Sequence, residues 1–300
     1  MSRLSLFRVL VRTTGDLKDM DKELLQEIEE AQMVLVGLGS ALDASEAKSG
    51  DDIAVALLKE QDMGYLLPLF YERRQSESVR KDIQNGLVKL AGLLENKNCF
   101  VITEAKNSAV FQAKWREGRL VAPYGFSRMV QCLEACEGSA PKELDEESCQ
   151  ALVKAMDAFL SKHDAAEESY SRTDTRYQLL SEEVKDAMLA IEKRETIGDY
   201  MDILRQEVEG ILGRCECCGA ANILNVSMAE KYDQRGYKQD WERYTKWLSG
   251  SVNRNLLLLE IGVDESRPGL IHGPFSKISE LNLKAKRRTY ANVIDWLRNL

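Results

Sequence analysis

The sequence lacks long apolar runs, and none approaches the roughly 18 to 20 residues that a helix needs to span a bilayer. The opening segment MSRLSLFRVLVRTT has three arginines and no acid before Asp16, but it lacks the uninterrupted hydrophobic region of a secretory signal. Collagen-like, coiled-coil and disordered biases, internal repeats and low-complexity linkers are also missing. We therefore expect the opening segment to be part of the fold, and the protein to be globular and cytoplasmic with no membrane partner.

An excess of positive charge is missing as well. The 300 residues carry a net charge of −8, so the chain as a whole lacks the basic field that binding to nucleic acid usually requires. Its one dense basic run, KAKRR at 284–288, is short, and we interpret it as a solvated loop. No nucleic-acid partner is expected.

A disulfide framework is not expected either. Seven cysteines, an odd number, occur without an export signal, and clustered cysteines in a reducing compartment indicate a metal site. Two short-spaced pairs could supply the four soft ligands of a structural zinc ion, namely Cys132 with Cys136 and Cys215 with Cys218. Gly219 would let the second pair turn, and the long intervening chain can loop out because closure entropy grows slowly with length.

The remaining thiols are interpreted differently. Cys217 competes as a ligand, but the C-x2-C spacing favours Cys215 with Cys218. Cys99 lies in a predicted strand and Cys149 on a predicted helix, and we expect both to be free thiols. The alternative for the paired cysteines is also a set of buried free thiols.

Hydrophobic periodicity predicts short apolar strands that alternate with helices. The predicted strands are 33–40, 98–103, 255–263 and 288–294, and the predicted helices include 16–30, 51–71, 76–96 and 238–250. This alternation is typical of an α/β fold, a parallel Rossmann-like sheet with helices on both faces. Residues 141–212 differ, because they are polar, acidic and helical with no strand signal.

A glycine-rich turn follows the first predicted strand, in the segment VGLGSALDAS at 36–45. Glycines in this setting let the backbone approach a pyrophosphate. The pattern is only G-x-G, with no third glycine at the usual place, so by itself it is a weak signal of dinucleotide binding.

Taken in order, these segments resemble the sirtuin family, and most closely its microbial macrodomain-linked, lipoate-associated branch. The resemblance is carried by the glycine turn, by VQCLEAC (130–136), by CECCG (215–219) and above all by LLLEIGVDESRPGLIHGPF (257–275). It implies a discontinuous nucleotide-binding domain, 1–131 and 219–300, interrupted by a zinc module with an enlarged helical insert, 132–218. Zinc is the implied structural metal, and NAD or ADP-ribose the implied ligand.

The resemblance also assigns site residues. Tyr124, which precedes Gly125, stands where the family has its catalytic histidine or glutamine, and Glu104 is a second candidate for the catalytic base. The segment Thr103-Glu104-Ala105-Lys106 matches the family's T-N-x-D segment. The residues implied in cofactor binding are Gly37, Gly39, Ser40, Asp43, Thr103, Gly262, Glu265 and Ser266.

Three of these elements depart from the family pattern. A phenol, with an ordinary pKa near 10, is a poor general base at neutral pH. The polar pair of the T-N-x-D segment has become Glu104 and Lys106, and Asp43 replaces a serine that commonly faces the phosphates. A carboxylate beside a pyrophosphate would repel it.

The two histidines do not replace the catalytic residue. His163 lies in the helical insert, and we expect it at the surface. His272 lies on the loop that would pass near the nucleotide, where it could contact a ligand or serve only the structure.

Three functions remain open at this point. The first is a divergent sirtuin-like protein that lacks ordinary NAD-dependent deacylase activity, keeps the zinc site, and binds NAD or ADP-ribose weakly or not at all. The second is an active NAD-dependent deacylase or ADP-ribosyltransferase that uses Tyr124 or Glu104. The third is a zinc-stabilised interaction module that binds a protein partner through the helical insert.

Overall fold

A computed structural model of the chain describes residues 17–171, 181–266 and 269–300. The opening segment, which we expected to be part of the fold, lies outside the described residues. The strands are β1 Met33–Leu38, β2 Cys99–Thr103, β3 Leu120–Val121, β4 Gly125–Cys132, β5 Lys142–Glu143, β6 Asn222–Val226, β7 Leu256–Ile261 and β8 Ala285–Tyr290. The helices are α1 Leu17–Glu30, α2 Asp51–Glu60, α3 Leu67–Arg74, α4 Glu77–Leu93, α5 Ser108–Gln112, α6 Glu146–Ser171, α7 Glu182–Leu212, α8 Arg235–Ser249, α9 His272–Leu281 and α10 Val293–Asn299.

Five strands form one parallel sheet in the order β3-β2-β1-β7-β8. The three central strands are buried along their whole length, as expected for strands covered on both faces. The strand order runs outward from β1 in both directions, which is the Rossmann-like arrangement. The predicted α/β fold with a parallel sheet is therefore confirmed.

Each face of this sheet has its own core. On one face, Ile83 and Leu87 of α4 and Trp296 of α10 pack against β1 and β7. On the other face, Tyr244 and Trp247 of α8 pack with Phe275 of α9 against the same strands. Helices thus cover both faces, as the sequence predicts. In the described ranges, no helix is long and apolar enough to cross a membrane.

The last strand is displaced from its predicted position at 288–294, because β8 ends at Tyr290 and α10 begins at Val293. The interpretation of 284–288 as a solvated loop is wrong for the same reason, since most of this basic run lies in β8. Arg288 bonds Glu27 of α1 at 2.7 and 2.8 Å. Most of the basic run therefore belongs to an edge strand, which forms ion pairs with acids of α1.

A second, three-stranded sheet has the order β5-β4-β6, and its strands are antiparallel. It shares a hydrophobic core with α6 and α7, which pack on one another, and with α2 and α3. Where the structure describes residues 141–212, they lie mainly in the helices α6 and α7, as predicted, and they include the two-residue strand β5. The division into domains 1–131 with 219–300, and 132–218, stays a prediction.

Candidate functional site

Four thiols come together at one end of the second sheet. Cys132 ends β4 and Cys136 follows one turn later, while Cys215 and Cys218 follow α7. The Sγ atoms of Cys132 and Cys218 lie 3.4 Å apart, and those of Cys136 and Cys215 lie 3.6 Å apart. All four sulfurs lie within 4.8 Å of one another. The two pairs that the sequence singles out therefore form one cluster.

Each pair of cysteines lies on its own tight turn. In the first, the backbone N–H of Ala135 donates to the carbonyl of Cys132 at 2.9 Å, and Ala135 adopts a left-handed φ of 47°. In the second, the N–H of Gly219 donates to the carbonyl of Cys215 at 2.8 Å. The φ of 75° at Gly219 is a conformation that glycine adopts without strain. This is the role that the sequence predicts for the glycine.

The donor set fits a tetrahedral zinc ion. With Zn–S bonds of about 2.3 Å, the sulfurs of a tetrahedral site lie roughly 3.8 Å apart, close to the spacings of the two closest pairs. The group of four does not include Cys217, which is exposed. Cys99 and Cys149 also lie outside it. The four thiols can bind zinc with the ligands that the sequence predicts.

Hydrogen bonds prepare one of these thiols for metal binding. Backbone N–H groups of Cys218 and Cys217 act on the sulfur of Cys215 and lower the pKa of this thiol to about 6. Burial and the neighbouring sulfurs raise the pKa of Cys136. Because a metal ligates the thiolate, these backbone N–H groups favour the form of Cys215 that binds, whereas the pKa of Cys218 is raised by hydrogen bonds to neighbouring thiols and by burial.

Arg235, at the start of α8, holds the first turn in place and was missed by the sequence analysis. Its guanidinium donates to the carbonyl oxygens of Cys136 at 2.8 Å, Glu137 at 2.8 Å and Ser139 at 3.0 Å. Asp233 orients the same guanidinium at 2.6 Å. Residues that orient ligands from outside the metal shell tune affinity, so Arg235 belongs to the cysteine site.

A second candidate site lies at the carboxyl ends of the central strands, which is the usual ligand position in such sheets. Here the turn after β1 is bonded directly to the end of β7. The N–H of Gly39 donates to Ile261 O at 2.8 Å, and the N–H of Ala41 to Gly262 O at 3.1 Å. A Cβ on Gly39 would lie 2.1 Å from Gly262 O, and one on Gly37 would lie 2.3 Å from Ile271 Cγ2.

Asp43 and its neighbour Ser40 lie in the short 3-10 turn that follows. Ser40 is exposed. The Asp43 carboxylate instead accepts hydrogen bonds from the backbone N–H of Lys106 at 3.0 Å and of Asn107 at 2.9 Å. Although Asp43 keeps some exposed surface, burial of its carboxylate raises its pKa to about 6, against the lowering effect of these N–H groups.

The residues after β2 are also bonded within the chain. Thr103 is fully buried; its hydroxyl lies 3.3 Å from Leu38 O and accepts from the N–H of Ala105 at 3.0 Å. The carboxylate of Glu104 accepts from the N–H of Leu270 at 2.9 Å, just before α9. Both side chains therefore join neighbouring segments at the carboxyl edge.

Tyr124 immediately precedes β4 and is 38% exposed. Its ring lies 5.2 Å from Lys106 Nζ, a cation–π distance. Lys106 therefore contacts the predicted catalytic tyrosine with its ammonium group and Asp43 with its backbone N–H. Glu265 and Ser266 lie in the exposed turn after β7, where Ser266 Oγ donates to Asp264 at 2.6 Å.

The two histidines are both engaged in ion pairs or hydrogen bonds. The expectation that His163 lies at the surface is wrong, because this residue is fully buried and its Nδ1 lies 3.0 Å from Arg74 Nη2. His272 begins α9, and its Nδ1 lies 3.0 Å from the carboxylate of Glu260. Glu260 is fully buried in β7 and also lies 3.6 Å from Arg287 Nη1.

No family model and no curated protein matches the chain. Solved structures with a similar shape include a mutant Sir2 homologue in complex with ADP-ribose, with a TM-score of 0.46, 11% identity and coverage of 93% of this chain and 96% of that one. A structure on the basis of sirtuin substrate affinity has a TM-score of 0.42, 11% identity and coverage of 92% and 95%. A Sir2 homologue–NAD complex has a TM-score of 0.41, 13% identity and coverage of 93% of each chain. At these values the similarity establishes no family, activity or ligand for this chain.

Proposed function

We propose that the chain is a zinc-stabilised, sirtuin-like protein without NAD-dependent deacylase or ADP-ribosyltransferase activity. The observation that carries this proposal is the contact between the turn after β1 and the end of β7. In dinucleotide-binding sheets, glycine at this turn leaves room for the pyrophosphate to approach the backbone. Here a Cβ on Gly39 would lie 2.1 Å from Gly262 O. The chain itself takes the room on the Cβ side of Gly39, so a pyrophosphate has no access to the turn from that side.

The polar side chains around this turn support the same proposal. Asp43 is bonded to the backbone of Lys106 and Asn107, and Glu104 to the backbone of Leu270. A general base must reach the proton that it removes, and both carboxylates already serve as acceptors for backbone N–H groups. Their contacts favour a structural role at the edge of the sheet.

The cysteine cluster supports the structural part of the proposal. Cys132, Cys136, Cys215 and Cys218 would hold zinc with four protein ligands, which supplies folding energy and leaves no open coordination position for catalysis. The cluster joins the chain before α6 to the chain after α7. Zinc would thus close the base of the helical insert.

Nicotinamide release tests the proposal. Zinc-loaded wild-type protein, incubated with NAD and an acyl-lysine peptide, should release no nicotinamide above the rate of a protein-free control, measured by chromatography. Catalytic release that is lost in Glu104→Gln or Tyr124→Phe would instead support the active enzyme. The two variants also separate the two candidate bases, because each removes one acid–base group and keeps its approximate size.

One observation favours the alternative of an interaction module. On α7, Val184, Met188 and Ile191 are 47%, 39% and 58% exposed, and their spacing places them on one face of the helix. Exposed apolar stripes of this kind are typical of protein contacts. Replacing the three residues with serine should abolish a protein contact made through the insert, measured by co-purification, while zinc content stays unchanged. An unchanged set of co-purified proteins would exclude this face.

A further inference from the structure

A basic cavity of about 830 Å³ lies at the opposite end of the parallel sheet from the Gly39 turn. Four cations line it, Arg119, Arg243, Lys246 and Arg254, against a single acid, Glu117. This local excess of positive charge occurs in a chain with a net charge of −8. Its volume lies within the range of about 300 to 1,000 Å³ that is typical of small-molecule sites.

The position of the cavity separates it from the site at the carboxyl edge. Met33, the first residue of β1, and Phe100, near the start of β2, form part of its wall. A strand rises roughly 3.3 Å per residue, so the two ends of the six-residue strand β1 lie on the order of 15 Å apart. The cavity is therefore a separate site from the Gly39 turn.

Most of the cations in the cavity have no acidic partner. Arg243 pairs with Asp240 at 3.0 Å. Within the part of the chain that the structure describes, no carboxylate lies at ion-pair distance from Arg119, Lys246 or Arg254. Several cations therefore surround the cavity without a compensating negative charge. An anion bound there would interact favourably with all of them.

The rest of the wall is held in place by packing. Trp247 is 8% exposed, and its indole N–H donates to Asn98 Oδ1 at 2.7 Å. The guanidinium of Arg119 lies 6.0 Å from the ring centre of Phe100, which is fully buried. These contacts hold the apolar wall of the cavity in place. The wall is therefore already formed before a ligand binds.

We propose that this cavity binds a compact, multiply phosphorylated small molecule. Guanidinium and ammonium groups are the side chains that bind phosphate, arginine through paired hydrogen bonds and lysine as a point charge. A long nucleic acid or an anionic membrane needs an extended basic surface. Because the chain has a net charge of −8, a large anion would be repelled by the rest of the surface, and a ligand that fits inside the cavity is favoured.

Calorimetric titration with inorganic tripolyphosphate tests the site on the full, zinc-loaded chain. Wild-type protein should bind it with an affinity that falls as salt rises. Lys246→Gln combined with Arg254→Gln should weaken binding by about tenfold or more, as expected for the loss of two charged contacts. The matched control is Lys59→Gln combined with Lys89→Gln, which makes the same change in net charge at two exposed lysines on α2 and α4. Lys59 lies in the last turn of its helix, as Lys246 does.

Absence of saturable binding would overturn the proposal, and so would an equal loss of affinity in both double variants. A wild-type preference for single-stranded oligonucleotide or for phosphatidylserine vesicles over tripolyphosphate would also overturn it. A second readout locates the ligand, because the indole N–H signal of Trp247, assigned with Trp247→Phe, should shift in NMR spectra on binding. Binding that leaves this signal in place lies outside the cavity and also overturns the proposal.

Discussion

The carboxylate of Asp43 lies 3.0 Å from the backbone nitrogen of Lys106 and accepts its hydrogen bond. This contact joins the turn after β1 to the segment after β2, the two places where the sequence resemblance puts nucleotide contacts. It also gives the acid at this turn a structural role. The carboxylate faces N–H donors of its own chain, which favour the ionised form, while burial opposes it.

The raised pKa of Asp43 predicts an unusual pH dependence. A carboxyl group whose pKa is about 6 in the folded protein, against an ordinary value of 3.8, binds its proton more tightly when folded. Its contribution to stability is therefore present below about pH 4 and is lost as the pH rises through 6. The free energy of unfolding of wild type minus that of Asp43→Asn should fall by on the order of 2 kcal/mol between pH 4 and 7.

Urea unfolding of both proteins at each pH measures this difference, and the other titrating groups cancel in it. A difference that stays constant over this range, or that rises with pH, would contradict the assignment.

The glycine at the turn after β1 should be required for stability without any ligand. The φ of Gly39 is −84°, which any residue can adopt, so the contact of a new Cβ decides the outcome. In Gly39→Ala this Cβ meets backbone atoms of Gly262, which cannot move aside as a side chain could. We expect a loss of roughly 1 to 3 kcal/mol in the free energy of unfolding, measured with urea.

Gly92→Ala is the matched control, because a Cβ there has nothing within 4 Å. On helix α4, this change should leave stability unchanged or raise it by up to about 1 kcal/mol. If Gly39→Ala behaved like Gly92→Ala, space beside the turn would be free for a ligand.

The cysteine cluster predicts one zinc ion per chain. Replacing Cys132 and Cys215 together with serine removes one ligand from each pair, and the purified variant should retain less than about half an equivalent of metal, measured by elemental analysis. Its thermal midpoint should fall, since metal binding and folding are linked. Cys217 is adjacent to Cys218 and two positions from Cys215 but lies outside the cluster, so Cys217→Ser should keep full zinc content. Loss of zinc in Cys217→Ser alone would mean that the ligand set is different.

Arg74 should be the main electrostatic link between the helical insert and α3. Its side chain is 2% exposed and lies 2.6 Å from Asp51 and 2.8 Å from Asp164. Arg74→Met leaves the buried Asp51 and His163 without this partner, and we expect a loss of about 3 to 5 kcal/mol in the free energy of unfolding.

The adjacent Arg73 provides the control. It pairs with Asp157, which is 46% exposed, so Arg73→Met should cost less than about 1 kcal/mol. If both variants lost the same free energy of unfolding, the buried ion pair of Arg74 would contribute no more to stability than the exposed pair of Arg73.

The parallel sheet was predictable because its strands are uninterrupted apolar runs, such as MVLVGL in β1. The second sheet was not predicted, since β4 reads GFSRMVQC and has no uninterrupted apolar run; its polar residues Ser127 and Gln131 are buried, and the charged Arg128 is partly exposed. Strand β8 was placed too late because AKRRTY has the composition of a loop. Its cations become compatible with a strand through acids that are distant in sequence: Lys286 and Arg288 pair with acids of α1, and Arg287 lies near Glu260 of β7.

The cysteine ligands could be predicted from their spacing in the sequence, because two short-spaced pairs of cysteines are typical of a structural zinc site. Arg235 could not, since its partners are backbone carbonyls about 100 residues away. The burial of His163 depends on Arg74, also distant in sequence. A signal did exist for Glu260: one acid inside the apolar strand LLLLEI must find buried partners, and it finds His272 and Arg287.

Calorimetric titration of NAD into the zinc-loaded wild-type chain tests most directly whether the carboxyl edge is closed by the chain's own residues. With Gly39 packed on Gly262 and Asp43 bonded to Lys106, no saturable heat should appear up to NAD concentrations of about 1 mM, which corresponds to binding weaker than roughly −4 kcal/mol. Saturable one-to-one binding at micromolar NAD, displaced by ADP-ribose, would contradict this account.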